Sequence, residues 1–241
     1  LQNFSGGIFM KWVLYSNELY HHGILGQKWG VRRYQNRDGS LTALGKERTR
    51  LSNTVYSTAA KREPQITKDI KSSVESSGGK MYGLEHRLKT KRSIARKIHA
   101  DSMEKSISYE ESAKGLKDAV RYTSINNDKN YVKGYFNTKA SLESKGYKEV
   151  RCRNYFDMYN KGLVKHKSVQ SIFQAPDGYM FELQFQTPAS QEAKNKKVPL
   201  YEKVRTPGIS DLERKHLEQQ MEKLAENVSN PIGIEQIKSH G

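Results

Sequence analysis

Residues 179–186, YMFELQFQ, fall into two sets by position: Tyr179, Phe181, Leu183 and Phe185 in one, Met180, Glu182, Gln184 and Gln186 in the other. A strand, whose side chains repeat every two residues, puts the four large apolar groups on one face. A helix would throw them to opposing sides. The first set therefore reads as core, and the second sets a carboxylate and two amides on an exposed sheet surface. Just upstream, Pro176-Asp177-Gly178 is a turn signal, so 162–187 reads as a hairpin.

Other segments supply partners for that hairpin. Ile94, Ala95, Ile98 and Met103 make a helical stripe, β-branched and aromatic residues near 118–125 predict a strand, and Val132, Phe136, Ala140 and Leu142 predict a helix closed by Gly146. A second strand is expected over 147–156, with the single cysteine, Cys152, as a small buried hydrophobe within it. Helices near 189–204 and 211–228 follow, divided by Pro207-Gly208. This order predicts an α+β fold, a mixed β-sheet flanked by helices, with the helices packed on one face. Residues 51–83, rich in Ser, Thr and Lys, read as a linker with one weakly helical piece ending at Gly78 and Gly79.

Charge narrows the choice of partner. Lys and Arg total 42 against 26 Asp and Glu, a formal net charge of +16, which points to an anionic partner such as nucleic acid or nucleotide phosphates. Part of that charge is concentrated in EHRLKTKRSIARKIHAD, residues 85–101. No run approaches a membrane span, GIFMKWVLY being broken by Lys11, and no signal peptide is read, so the expectation is a cytoplasmic protein with no membrane partner.

Residues 1–50 form an extended N-terminal arm with glycines at 23, 26, 30, 39 and 45. From His22 to Thr42 it resembles a short module of tailed-phage structural proteins, H-x-G-x-x-G-x-K-W-G-V-R-R-[YF]-Q-N-x-D-G-S-L-T. That resemblance implies a phage origin, with virion proteins as partners and the virion or the host bacterial cytoplasm as location. The adjacent His21 and His22 offer too few ligands for a metal site by themselves.

Three motifs, in order over 84–206, resemble the RelA/SpoT-type (p)ppGpp synthetase family. They are R-x-K-x-x-x-S-I-x-x-K at Arg87, Lys89, Ser93, Ile94 and Lys97; R-N-Y-F at Arg153 to Phe156; and F-E-L-Q-F-Q-T at Phe181 to Thr187. The resemblance implies a nucleotidyltransferase-like fold, and transfer of pyrophosphate from ATP to a ribose 3′-hydroxyl of a nucleotide or tRNA end. It also implies Mg²⁺ as cofactor and, for a toxin, an antitoxin partner. By position, Arg87, Lys89, Ser93, Arg96, Lys97, Arg121 and Arg153 would bind ATP or its phosphates. Glu182, Asp118 and Gln184 would be catalytic, with Asp118 and Glu182 holding the metal, and Tyr155 or Tyr159 would stack on the acceptor base. The family pattern D-x-x-G-x-R aligns its Asp with Leu116, Asp118 standing only three residues before Arg121, and Gln186 replaces an Arg. The segment 207–241 is left as a C-terminal helix and tail. The competing reading is a catalytically degenerate phage head or injected protein that binds nucleic acid through a basic surface. His99 and His166 read as structural residues.

Overall fold

The computed structural model describes residues 33–204 and 208–241. His21, His22, most of the phage-like passage, and Pro207 lie outside the described residues. A long helix, α1 (Ala43–Ser76), begins at Thr42, whose side chain accepts from the Gly45 N–H. Its buried residues include Leu51, Ala59, Ile66, Ile70 and Val74, which recur at helical intervals and form one docking stripe. The linker expected from residue 51 is thus helix as far as Ser76. Its Ser, Thr and Lys residues cover the outer surface, and the sparse stripe is enough to dock it. Where the chain enters α1, a Cβ on Gly45 would stand 2.1 Å from the Tyr34 carbonyl oxygen, so only glycine allows the approach.

Five strands form one sheet: β1 (Lys80–Tyr82), β2 (Arg121–Ile125), β3 (Lys148–Asn154), β4 (Val169–Gln174) and β5 (Met180–Gln186). Their order is β1-β2-β5-β4-β3, with β2 and β5 parallel and the other neighbours antiparallel. The turn before β5 has Gly178 at φ 85°, the left-handed conformation that the sequence signal requires.

Around the sheet lie α2 (Lys91–Lys105), α3 (Tyr109–Lys114), α4 (Tyr131–Ser144), α5 (Tyr155–Asn160), α6 (Pro188–Val204) and α7 (Asp211–Glu226). On one face Phe181 meets Tyr122 edge-on at 6.1 Å and stacks with Phe173 at 5.9 Å. Thr67 of α1 is hydrogen-bonded to the Tyr122 hydroxyl at 2.7 Å, and the Tyr131 hydroxyl of α4 donates to the Phe185 carbonyl at 2.8 Å. Burying each such aromatic contributes roughly 1.5–3 kcal/mol.

The opposite face is not the exposed surface expected for Glu182, Gln184 and Gln186, which are only 9 %, 5 % and 3 % exposed. α6 returns from the end of β5 to that face, so helices flank both sides of the sheet. After α7 the chain buries Ile234 and Ile237, and the His240 backbone exchanges hydrogen bonds of 3.0 and 2.9 Å with Cys152. The free edge of β3 is thereby covered.

Among the described residues, no helix is long and apolar enough to cross a membrane.

Candidate active site

Strand register builds the polar face in rows. Arg121, Glu182, Ile172 and Arg151 align across β2, β5, β4 and β3, and Thr123, Gln184, Gln170 and Arg153 align in the next row. Gln184 donates its amide N–H to Glu182 Oε1, fixing the carboxylate.

The loop before β2 adds the second carboxylate. Lys89 N donates to the Ala119 carbonyl at 2.9 Å, and Arg121 N to the Arg87 carbonyl at 2.8 Å, so the chain entering α2 runs beside 119–121. Thr90, which accepts from Ser93 N, then starts α2. Asp118 Oδ2 lies 3.5 Å from Lys89 Nζ and 3.4 Å from Lys97 Nζ. Burial works against its charge, but Lys89, Lys97 and Arg121 together hold the carboxyl below the usual carboxylate range. Burial depresses Lys89, Asp118 opposes that shift, and Arg121 and Lys97 add to it; the Glu182 charge acts on the same ammonium. Asp118 and Glu182 thus both act on the Lys89 ammonium, as do Lys97 and Arg121. The short spacing to Arg121 does not keep Asp118 away, and the aligned Leu116 is buried in the core.

Two further cations belong to this face, and no motif marks either. Lys194 of α6 donates to Gln184 Oε1 at 2.7 Å. Burial, with repulsion from Arg121 and Lys89 and partial relief from Glu182, lowers its pKa to about 8. Arg151 has a buried Nε without a hydrogen-bond partner. The alternation of RCRN was the signal available for Arg151, since it places 151 and 153 on one face. Lys194 depends on where a helix folds back, which no local pattern encodes.

Several expected site residues lie elsewhere. Arg87 adopts helical backbone angles, φ −65° and ψ −30°, as a short 3₁₀ turn ends. The two-residue alternation with Lys89 is therefore lost, and its guanidinium binds Glu63 of α1 and the Leu84 carbonyl. Arg153 spends its guanidinium on the carbonyls of His240 and Gly241, at 3.2 and 2.7 Å. Ser93 contributes its backbone N–H to the Thr90 cap, and Arg96 is half-buried on α2. Tyr159 lies under Lys167, whose Nζ is 4.4 Å from the ring centroid. Tyr155 stays near the face: burial raises its pKa, and the charges of Arg151, Glu182 and Arg153 act on it. Its ring meets that of His166 at 4.3 Å, tilted by 40°. Burial, with Lys197 and Lys194 nearby, keeps His166 neutral with a pKa of about 4. His99 accepts or donates at Tyr109 (2.8 Å) and packs edge-on against Tyr34, ahead of α1.

No family model matches the chain, and no curated protein matches it. Among solved structures it is similar to the small alarmone synthetase 1 from Bacillus subtilis bound to its product pppGpp. That match has 18 % identity and a TM-score of 0.46, covering 71 % of this chain and 88 % of that one. A GTP pyrophosphokinase family protein from Streptococcus pneumoniae matches at 15 % identity and TM-score 0.45, over 77 % and 89 % of the two chains. The Type VI effector Tas1 in complex with its immunity protein matches at 14 % and 0.45, over 72 % and 94 %.

Proposed function

We propose that the protein is a RelA/SpoT-like nucleotide pyrophosphokinase that transfers pyrophosphate from ATP to the 3′-hydroxyl of a nucleotide or tRNA end. The observation that carries this is the convergence of Asp118, Glu182, Lys89, Lys97 and Arg121 on one sheet face. The acceptor oxygen attacks the β-phosphorus of ATP, the bond from that phosphorus to the α,β-bridging oxygen breaks, and AMP leaves. Lys89, Lys97 and Arg121 neutralise the phosphate oxygens, and Glu182, held by Gln184, takes the hydroxyl proton. Such catalysis is mostly positioning and charge stabilisation.

The donor set also suits Mg²⁺, which is commonly held by one or two carboxylates together with substrate phosphates. Asp118 Oδ1 is buried without a hydrogen-bond partner, an oxygen that a hard cation would satisfy. Asp118 and Glu182 would hold the ion, and it would supply further neutralisation of phosphate charge. The Tyr155 side of the face is the place for the acceptor base. The phage-like motif from His22 to Thr42 supports association with a phage structural module, and a toxin of this class calls for an antitoxin partner.

Incubating the protein with ATP, Mg²⁺ and GDP, GTP, ADP or deacylated tRNA in turn is expected to release AMP with at least one acceptor. The second reading, a nucleic-acid-binding protein without turnover, draws on the double lysine pairing of Asp118. No AMP with any acceptor, together with DNA affinity that falls steeply with salt, would select it.

A further inference from the structure

Lys194 has no place in the roles assigned above, yet its position is tightly built. β5 runs directly into α6, with Pro188 as the first helical residue. Thr187 and Ser190 cap each other reciprocally, Ser190 N to Thr187 Oγ1 at 3.0 Å and Thr187 N to Ser190 Oγ at 2.8 Å. Gln186 accepts from Ser190 Oγ at 2.6 Å and so locks the same turn. Lys194 lies two helical turns beyond Thr187 and returns to Gln184, three residues earlier on the strand. Its ammonium is therefore placed by a strand and a helix rather than by a loop.

The chemistry around it is unbalanced. Its hydrogen-bond partner is an amide oxygen, not a carboxylate, and a partly buried cation so paired retains a desolvation cost that an incoming anion removes. Lys89, Lys97, Arg121 and Lys194 are four cationic groups facing two carboxylates, Asp118 and Glu182. A polyanion is the ligand that corrects this excess. β5 lies between β2, on the side of Lys97 and Asp118, and β4 and β3, on the side of Tyr155. Lys194 thus stands between the donor side and the acceptor side. One turn along α6, Lys197 is instead committed to the Lys165 carbonyl at 2.7 Å.

We infer that Lys194 binds phosphate oxygens of the transferred pyrophosphoryl group, closing the site from the α6 side; that it is the transferred group rests on the pyrophosphokinase reading. The test is calorimetric binding of inorganic pyrophosphate with Mg²⁺ to the wild-type protein and to Lys194→Met, Lys194→Arg and Lys197→Met. AMP release is measured in parallel, and thermal melting confirms that each variant folds. Lys194→Met should weaken pyrophosphate binding about tenfold or more, the loss expected for a charge-assisted hydrogen bond. Lys194→Arg should recover most of the affinity, and Lys197→Met should match wild type. Equal binding by Lys194→Met and wild type, or no pyrophosphate binding by wild type, overturns the inference. Lys194-dependent binding without AMP release from any acceptor keeps the phosphate site and removes the catalytic reading. AMP release that is insensitive to Lys194→Met, with unchanged pyrophosphate affinity, does the reverse.

Discussion

The two faces of the sheet each hold buried carboxylate chemistry, and they treat it differently. On the side that packs α4, Glu149 has a fully buried side chain and accepts from the Tyr135 hydroxyl at 2.9 and 3.0 Å and from Ser171 Oγ at 2.5 Å. Lys139 Nζ sits 2.9 Å from it and His240 Nε2 3.2 Å. Burial pushes this carboxyl up, and the bonds from Ser171, Lys139 and Tyr135 bring it below its ordinary value. Both oxygens are fully engaged. On the polar side, Asp118 keeps one oxygen unpartnered, and cations outnumber carboxylates. A network that satisfies itself holds a structure together, whereas one left in need of an anion and a metal is arranged for a ligand.

Substitutions should separate the two faces. Glu149→Ala leaves Lys139 and two hydroxyls facing an apolar gap and should cost about 3–5 kcal/mol in denaturant unfolding, while AMP release per folded molecule stays within about twofold. Glu182→Gln should do the opposite, lowering kcat by about 10²–10³-fold, the scale seen when one transition-state contact is removed, with little change in melting temperature. Arg87→Ala strands Glu63, which is 9 % exposed at its side chain, and should cost about 1–3 kcal/mol of stability. Its KM for ATP should stay near wild type, because the guanidinium faces α1 and not the cluster.

A last effect is expected in alkaline solution. Lys194 titrates at about 8 when folded, against 10.5 ordinarily, so the unfolded chain binds more protons between those values and folding gains stability as pH rises through that window. Lys194→Met should flatten this rise by about 2 kcal/mol between pH 8 and 10. An identical pH profile in the variant would mean that Lys194 carries its ordinary proton affinity.

Much of this was legible along the chain, and the rest fails for identifiable reasons. The alternation in β5, the Pro-Asp-Gly turn and the existence of α4 depend on local periodicity, which sequence displays directly, but the α4 stripe is only half right: Phe136 and Ala140 are exposed, and Tyr131, Tyr135 and Thr138 join Val132 and Leu142 on the buried face. Lys89, Lys97 and Arg121 are nominated only by resemblance to a family motif, since neither periodicity nor spacing singles them out. α1 was obscured because its apolar stripe is thin and diluted by Ser, Thr and Lys on the outside, although Leu51, Val55, Ala59, Ile66, Ile70 and Val74 keep helical spacing. Arg87 misleads because a single residue in helical conformation reverses the side its guanidinium takes. Arg153 misleads because a segment 87 residues later claims it. Lys194 and the cover over Glu182 come from α6 folding back, a tertiary event without a local signature.

The most direct test follows the label of ATP carrying ³²P at the γ position, with Mg²⁺ and the acceptor panel, comparing wild type with Glu182→Gln. The account predicts label joined to an acceptor in step with AMP release by wild type, and almost none from the variant. Label appearing only as free phosphate with ADP, or equal transfer by the two proteins, would contradict it.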